Sequence, residues 1–128
     1  NGKFVAPAPL EEELKLSPFI NQAMIYGLNR EYNVALIVAD MEIVKQFADE
    51  KRLTGSDVEL LQLPEIREQF KKQIESHSTS FKNFERIENF NLLDEEWSTD
   101  NGMLTPTMKV KRSVIEEKFK ENIVSLYS

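Results

Sequence analysis

Two stretches of the chain are dominated by apolar and strand-forming residues over the length of a β-strand. They are FINQAMIY at 19–26 and NVALIV at 33–38. The second is apolar on both faces, which predicts a central position in a sheet, and residues 27–32 suit a loop between antiparallel neighbours. RIENFNLL at 86–93 alternates enough to predict a strand at the edge of the same sheet, and residues 4–5 predict a further minor strand.

Three segments between the second and third strands have the spacing of amphipathic helices. Asp40 is a suitable N-cap for the first, and SDVE at 56–59 has the form of a capping box that opens the second. The third begins at Pro64, and its apolar positions recur at steps of three or four residues, which predicts the longest helix of the chain. Its predicted seam comprises Ile66, Phe70, Ile74, His77 and Phe81.

Helices are also predicted towards the two ends of the chain. PLEEELKL at 9–16 predicts a short helix with three glutamates in its first turn, where the helix dipole favours negative charge. From about Ser113 onward, apolar residues gather on one side and predict a C-terminal amphipathic helix. Together these elements predict an α+β domain with two layers, a partly antiparallel sheet covered by helices.

Length and composition predict a single domain with an ordinary core, since the chain has 128 residues, of which 41% are hydrophobic. Its formal net charge of −6 argues against a nucleic-acid partner, which would require a basic face. There is no cysteine and no apolar run of membrane-spanning length. We therefore expect a soluble, cytoplasmic chain. Because it begins at Asn1 without a methionine, a piece of a longer protein is one interpretation.

A cluster of basic residues stands out against this acidic background. NGMLTPTMKVKR at 101–112 places Lys109, Lys111 and Arg112 directly before the predicted C-terminal helix. Lys109 and Lys111 flank one valine and would point to one side of an extended backbone. Cations near a helix N-terminus are electrostatically unfavourable, so helix stability does not explain the cluster. Binding of an anion carried by another domain is one explanation, and simple solvation is the other.

The remaining candidates favour structural interpretations. His77 is the single histidine, and without a second histidine or a cysteine we interpret it as a half-buried, hydrogen-bonded side chain. The acidic runs at 11–13 and 94–96 are interpreted as solvated faces, because neighbouring carboxylates on a helix point apart. No metal site is predicted. Trp97 either anchors another surface or fills the core of this domain, and the sequence leaves both open.

Three motifs in order carry a resemblance to a known family. They are the glycine and lysine of NGKFVAP at 1–7, a YG…R-x-Y pattern at 26–32, and LTPT-x-K-x-K-R at 104–112. Together they resemble the C-terminal domain of AMP-forming long-chain fatty acid–CoA ligases, within the acyl-adenylate-forming superfamily, over residues 2–127. Many superfamily members carry glycine where this chain has Met108, and the long-chain branch tolerates a larger apolar residue there.

The resemblance implies a two-step reaction in which fatty acid and ATP form an acyl-adenylate, and CoA then displaces AMP. It also implies that the N-terminal domain of the same protein holds the substrates and Mg²⁺ accompanies ATP there, while this chain is a mobile lid. Lys109 falls on the catalytic adenylation lysine of the family. Gly2 and Lys3 fall on a loop that borders the CoA channel. We expect the isolated lid to be inactive and to hold no cofactor.

Several alternatives stay open. Lys111 and Arg112 either meet phosphate or the partner domain or are solvated at the surface, and solvation is the favoured interpretation of each. A second hypothesis for the whole chain is an interaction module without chemistry, which binds another protein through Trp97 and the basic cluster. A third is the same superfamily with a different acyl acceptor, oxygen or a carrier-protein thiol. The sequence leaves acyl-chain length, oligomeric state and membrane association of the full-length protein undetermined.

Overall fold

The structure is a computed structural model that describes residues 6–27 and 30–128. Three strands form one sheet, namely β1 (Ile20–Tyr26), β2 (Asn33–Ala39) and β3 (Ile87–Leu93). Strand β2 lies between the others, antiparallel to β1 and parallel to β3. All seven residues of β2 are buried, which agrees with its apolar pattern on both faces. The central strand, the antiparallel pair and the edge strand are therefore confirmed, while the minor strand predicted at 4–5 lies outside the described residues.

One face of the sheet is covered by four helices: α1 (Pro7–Leu14), α2 (Met41–Glu50), α3 (Asp57–Gln62) and α4 (Pro64–Ser76). Alternate residues of β1 and β2 pack against them and form the larger core of the molecule. Its buried members include Leu10, Leu14, Ala23, Ile25, Ala35, Ile37, Val44, Leu60, Ile66, Phe70 and Phe90.

The opposite face of the sheet is covered by residues 94–111 together with α5 (Arg112–Lys118) and α6 (Lys120–Ser125). This second core contains Met24, Val34, Leu36, Val38, Trp97, Met103, Leu104, Ile115, Ile123 and Leu126. The predicted α+β class is confirmed, and to the two predicted layers the structure adds a third on this face. Trp97 is 2% exposed, so it fills the core of this domain.

The capping signals in the sequence are used as predicted. The Oδ1 atom of Asp40 accepts a hydrogen bond from the N–H of Ile43 at 3.3 Å, at the start of α2. Ser56 and Glu59 form a reciprocal capping box at the start of α3, with bonds of 3.2 and 2.8 Å. Each bond satisfies an amide that the first helical turn leaves without a partner. Within residues 6–27 and 30–128, no helix is long and apolar enough to cross a membrane.

The ends of three helices differ from the predictions. Helix α4 is the longest at 13 residues but ends at Ser76, so His77 is its C-cap and the buried Phe81 lies in the turn that follows. Helix α1 begins at Pro7, so its glutamates lie beyond the first turn. The C-terminal helix is broken at Phe119, where φ is −107° and ψ is 25°.

Candidate functional site: the Lys109 hairpin

The predicted catalytic lysine lies on a small β-hairpin, residues 103–111, which we call the Lys109 hairpin. Leu104 and Val110 form a β-bridge between its two arms. One residue further towards the tip, the N–H of Thr105 donates to the carbonyl oxygen of Lys109 at 2.8 Å. These pairings place Val110 in a bridge with Lys109 and Lys111 on either side of it, in the order that the spacing of the basic residues predicted.

A three-residue loop closes the hairpin at Pro106, Thr107 and Met108. The carbonyl oxygen of Thr105 accepts from the N–H of Met108 at 2.8 Å, and the Thr105 hydroxyl accepts from the N–H of Lys109 at 3.1 Å. Proline suits the first loop position because its φ is preset. The last loop residue of such hairpins takes a left-handed conformation, and Met108 does so with φ of 67°.

The chain that leads into the Lys109 hairpin is fixed to the sheet at Trp97. The Gln22 side chain on β1 accepts from the N–H of Trp97 at 2.7 Å and donates to the Trp97 carbonyl at 2.8 Å. At the hairpin itself, the N–H of Lys111 donates to the carbonyl of Met103 at 2.8 Å. Met103 and Leu104 are buried in the second core and hold the first arm against the sheet. Residues 106–109 are exposed.

Arg112 ends the basic cluster and is not solvated. Its Nη1 and Nη2 atoms donate to the two carboxylate oxygens of Glu11, at 2.8 and 2.5 Å. Glu11 is 5% exposed and also accepts from the N–H of Ile25 at 2.7 Å. The hydrogen bonds with Glu11 raise the pKa of Arg112, against an opposing effect of burial. The favoured surface interpretation of Arg112 is therefore wrong, and so is the solvated interpretation of Glu11, because the two charges neutralise one another inside the domain.

Lys109 and Lys111 behave differently from Arg112. Both side chains are exposed, while Val110 between them is half-buried against the second core. No carboxylate in residues 6–27 or 30–128 forms an ion pair with either lysine. Two cations therefore project from the anchored hairpin, without a counter-charge in the part of the chain that the structure describes.

Two clefts in the described part of the molecule lie away from the hairpin. A cleft of about 500 Å³ lies between α4 and β3, and none of its lining residues belongs to the hairpin. Among the described residues, no three histidine or acidic side chains are grouped closely enough to hold a metal ion. His77 is half-buried at the end of α4, which agrees with the burial interpreted from the sequence, while the interpreted side-chain hydrogen bond stays a prediction.

The second motif, YG…R-x-Y, forms an aromatic cluster with the last helical turn. The Tyr127 hydroxyl donates to the carbonyl of Tyr32 at 2.8 Å, and the carbonyl of Tyr26 lies at 3.2 Å. The Arg30 guanidinium lies 4.4 Å from the centroid of the Tyr127 ring, within the range of a cation–π contact. Burial raises the pKa of Tyr127 to about 12. This motif therefore joins the C-terminus to the start of β2.

Gly2 and Lys3 lie outside the described residues. Sequence reasoning overlooked Glu11, which holds Arg112, Gln22, which holds the Trp97 backbone, and Thr105, which closes the hairpin loop. Glu11 had a signal, because it follows buried Leu10 and precedes buried Leu14 by three residues and therefore faces the core. Gln22 had none, since its partner Trp97 lies 75 residues away, whereas the partner of Thr105 is Lys109, four residues further along the same hairpin.

Comparison with known proteins gives the same family along the whole chain. The AMP-binding enzyme C-terminal domain profile matches residues 1–128. The long-chain-fatty-acid–CoA ligase FadD15 of Mycobacterium tuberculosis is 35% identical over 99% of this chain and 22% of its own length. Human long-chain-fatty-acid–CoA ligase 1 is 29% identical over 99% of this chain and 19% of its own length.

Solved structures share the fold. The adenylation domain of a carboxylate reductase from Mycobacterium chelonae superposes with a TM-score of 0.79 at 23% identity, covering 98% of this chain and 18% of that one. A fatty acyl CoA synthetase of Mycobacterium tuberculosis gives 0.56 at 16% identity, covering 94% and 19%. The chain thus spans about a fifth of the length of the proteins it matches. The resemblance carried by the three motifs is confirmed, and the chain belongs to the family of C-terminal domains of AMP-binding enzymes.

Proposed function

We propose that this chain is the mobile C-terminal lid of a long-chain fatty acid–CoA ligase and that Lys109 supplies the cation for adenylate formation. The complete protein would convert fatty acid, ATP and CoA to acyl-CoA, AMP and pyrophosphate. One observation carries the proposal: the Lys109 side chain is exposed and forms no ion pair among the described residues, next to the loop of a hairpin whose base is buried in the second core. The 35% identity to a long-chain ligase supports the substrate class.

The chemistry needs a cation at this point. A fatty acid carboxylate must attack the α-phosphorus of ATP, and the two groups repel one another because both are anionic. An ammonium group that bridges them stabilises the charge of the transition state. At about 4 Å and an effective dielectric constant of about 20, one such contact amounts to roughly 4 kcal/mol before desolvation. That energy corresponds to a rate effect of about two to three orders of magnitude.

The remaining parts of the reaction belong to the rest of the protein. The cleft between α4 and β3 is not lined by hairpin residues, and the matched relatives are about five times as long as this chain. The fatty acid, ATP and CoA would be enclosed by the N-terminal domain, and Mg²⁺ would arrive there with ATP, since the described residues group no metal ligands. Gly2 and Lys3 would border the CoA channel. The isolated lid would be inactive and would bind ATP poorly, which isothermal titration can check.

The two half-reactions separate the role of Lys109 from a general defect. In the full-length protein, Lys109→Ala should lower the rate of acyl-adenylate formation by about two to three orders of magnitude. Thioester formation from supplied acyl-adenylate should be largely retained. Lys111→Ala is the matched control, because Lys111 is exposed on the same arm, and it should leave adenylation near the wild-type rate. Equal loss of both half-reactions in Lys109→Ala would contradict the assignment.

The other two hypotheses are weaker on these observations. An interaction module would use Trp97 as its anchor, and Trp97 is buried in the second core. A different acyl acceptor has no observation in its favour, because the structural likeness to a carboxylate reductase lies at 23% identity and concerns the fold. Product analysis of the full-length protein with and without CoA distinguishes a CoA ligase from a relative with another acceptor.

A further inference from the structure

Met108 has two features that are unfavourable in the described structure. Its φ of 67° lies in the left-handed region, which among the described non-glycine residues is shared only by Arg52. Its side chain is also 66% exposed, whereas Met103 at the base of the same hairpin is 4% exposed. The left-handed conformation is strained for a residue with a side chain. Neither backbone preference nor burial in this domain explains a methionine here.

Glycine would fill the same position without strain. The last residue of a three-residue hairpin loop is the place where glycine is preferred, because only its backbone enters the left-handed region freely. A large apolar side chain at such a site is therefore retained for something other than the turn. Strained residues of this kind are concentrated at functional sites such as active sites, ligand clamps and switch regions.

We propose that the Met108 side chain is buried against an apolar wall of the N-terminal domain of the same protein when Lys109 reaches its substrates, and that this contact positions Lys109 for adenylation. The inference rests on the proposed function. Met108 and Lys109 are consecutive in a hairpin whose residues Met103 and Leu104 are buried in the second core, against the sheet. Any movement that brings the Lys109 ammonium against a substrate therefore brings Met108 to the same surface.

The surface that contacts Met108 is inferred to belong to the part of the protein outside this chain. The matched ligases are about five times as long as this chain, so most of the adenylation site is supplied by residues outside it. Exposed apolar area gains free energy only when it is removed from water. A flexible, polarisable thioether side chain fits an irregular wall. Met108 is thus a positioning residue, because its contact is made with protein while Lys109 touches the substrate.

The test uses three substitutions in the full-length protein. Met108→Asn keeps a residue that tolerates the left-handed backbone but removes the apolar side chain, and it should lower kcat for adenylation about tenfold. KM for ATP and fatty acid should stay near wild type, because both bind elsewhere. Met108→Leu should restore most of the rate. Leu16→Asn is the matched control, since Leu16 is 67% exposed without a left-handed backbone, and it should have little effect.

A second measurement does not depend on catalysis. Met108 is the most exposed of the four methionines, so peroxide should oxidise it fastest in the free protein. A non-reactive acyl-adenylate analogue that holds the adenylation pose should slow its oxidation several-fold, as followed by mass spectrometry. Unchanged oxidation together with wild-type adenylation by Met108→Asn would overturn the inference.

The acyl-chain length of the substrate distinguishes a contact of Met108 with protein from a contact with substrate. A loss in Met108→Asn that grows with the acyl-chain length of the substrate would place Met108 against the substrate and would overturn the proposed protein contact. Lys109→Ala is measured in the same assay to separate the two proposals. If Lys109→Ala loses adenylation while Met108→Asn does not, only the present inference fails. If Lys109→Ala keeps adenylation, the proposed function itself fails.

Discussion

Glu11 and Arg112 are separated by 101 positions and are joined by two hydrogen bonds between one guanidinium and one carboxylate. The Oε2 atom of Glu11 also accepts from the backbone N–H of Ile25. Helix α1, strand β1 and the first residue of α5 therefore meet at a single buried carboxylate. Because Arg112 follows Lys109 by three residues, this pair fixes the chain directly beyond the Lys109 hairpin.

Removing one partner of this pair should be costly. Arg112→Met should lower the free energy of unfolding of the 128-residue chain by about 3 kcal/mol, because it leaves a carboxylate with a 6% exposed side chain without its cation. Urea unfolding followed by circular dichroism measures this. Combining Arg112→Met with Glu11→Gln is the control, since the amide oxygen can still accept from Ile25 and no charge is left buried. A double variant as unstable as Arg112→Met alone would contradict the electrostatic explanation.

Glycine at position 108 should have opposite effects on stability and on activity. In the 128-residue chain, Met108→Gly relieves a left-handed backbone strain of roughly 1–2 kcal/mol and costs about 0.5–1 kcal/mol in unfolded-state entropy. We expect a net gain of about 0.5–1 kcal/mol in urea unfolding. In the full-length protein the same change should slow adenylation. Loss of stability in the short chain would show that the side chain is already used within this domain.

Gly27 lies so close to the Asn33 side chain that a larger residue does not fit at this position. A Cβ atom built at Gly27 would lie 1.9 Å from the Oδ1 atom of Asn33. Asn33 is buried and donates to the carbonyls of Phe84 and Arg86 at 2.8 and 3.3 Å, so it cannot turn away without losing these bonds. Gly27→Ala should therefore destabilise the chain by about 2 kcal/mol. In an Asn33→Ala background the same change should cost much less, and equal costs in both backgrounds would exclude the contact as the cause.

The Tyr127 hydroxyl makes the stability of the chain depend on alkaline pH. Its pKa is raised by burial to about 12 in the folded chain, against about 10 in an unfolded chain. The folded state thus holds this proton more tightly, so the contribution is fully present below pH of about 10 and is lost as pH rises towards 12. In Tyr127→Phe, the free energy of unfolding should therefore depend less on pH over this interval. A tyrosine absorbance titration in which all three tyrosines ionise together near pH 10 would contradict the assignment.

Elements with local signals were predictable from the sequence. Asp40 and Ser56 mark helix starts through side-chain oxygens that satisfy nearby amides, and these bonds span three residues. The central place of β2 follows from its apolar residues on both faces. The exposure of Lys109 and Lys111 around a half-buried Val110 follows from the period of an extended strand.

Features that depend on distant partners were not predictable. Arg112 has the same local signature as Lys111, and only the fold brings Glu11 to one of them. The break at Phe119 has no glycine or proline to mark it, and the Phe119 side chain packs against the second core. The sequence left open whether Trp97 anchors another surface or fills the core. The position of the loop over the sheet decides this, and the sequence near Trp97 does not show it.

The tie between Gln22 and residue 97 involves only main-chain atoms of residue 97. Any amino acid with a backbone N–H can complete it from that side, whereas position 22 must supply an amide that donates and accepts at once. In this chain the side chain of residue 97 is therefore constrained by the volume it fills, and a change at position 22 would remove one connection to the sheet while the buried Met103 and Leu104 still hold the hairpin.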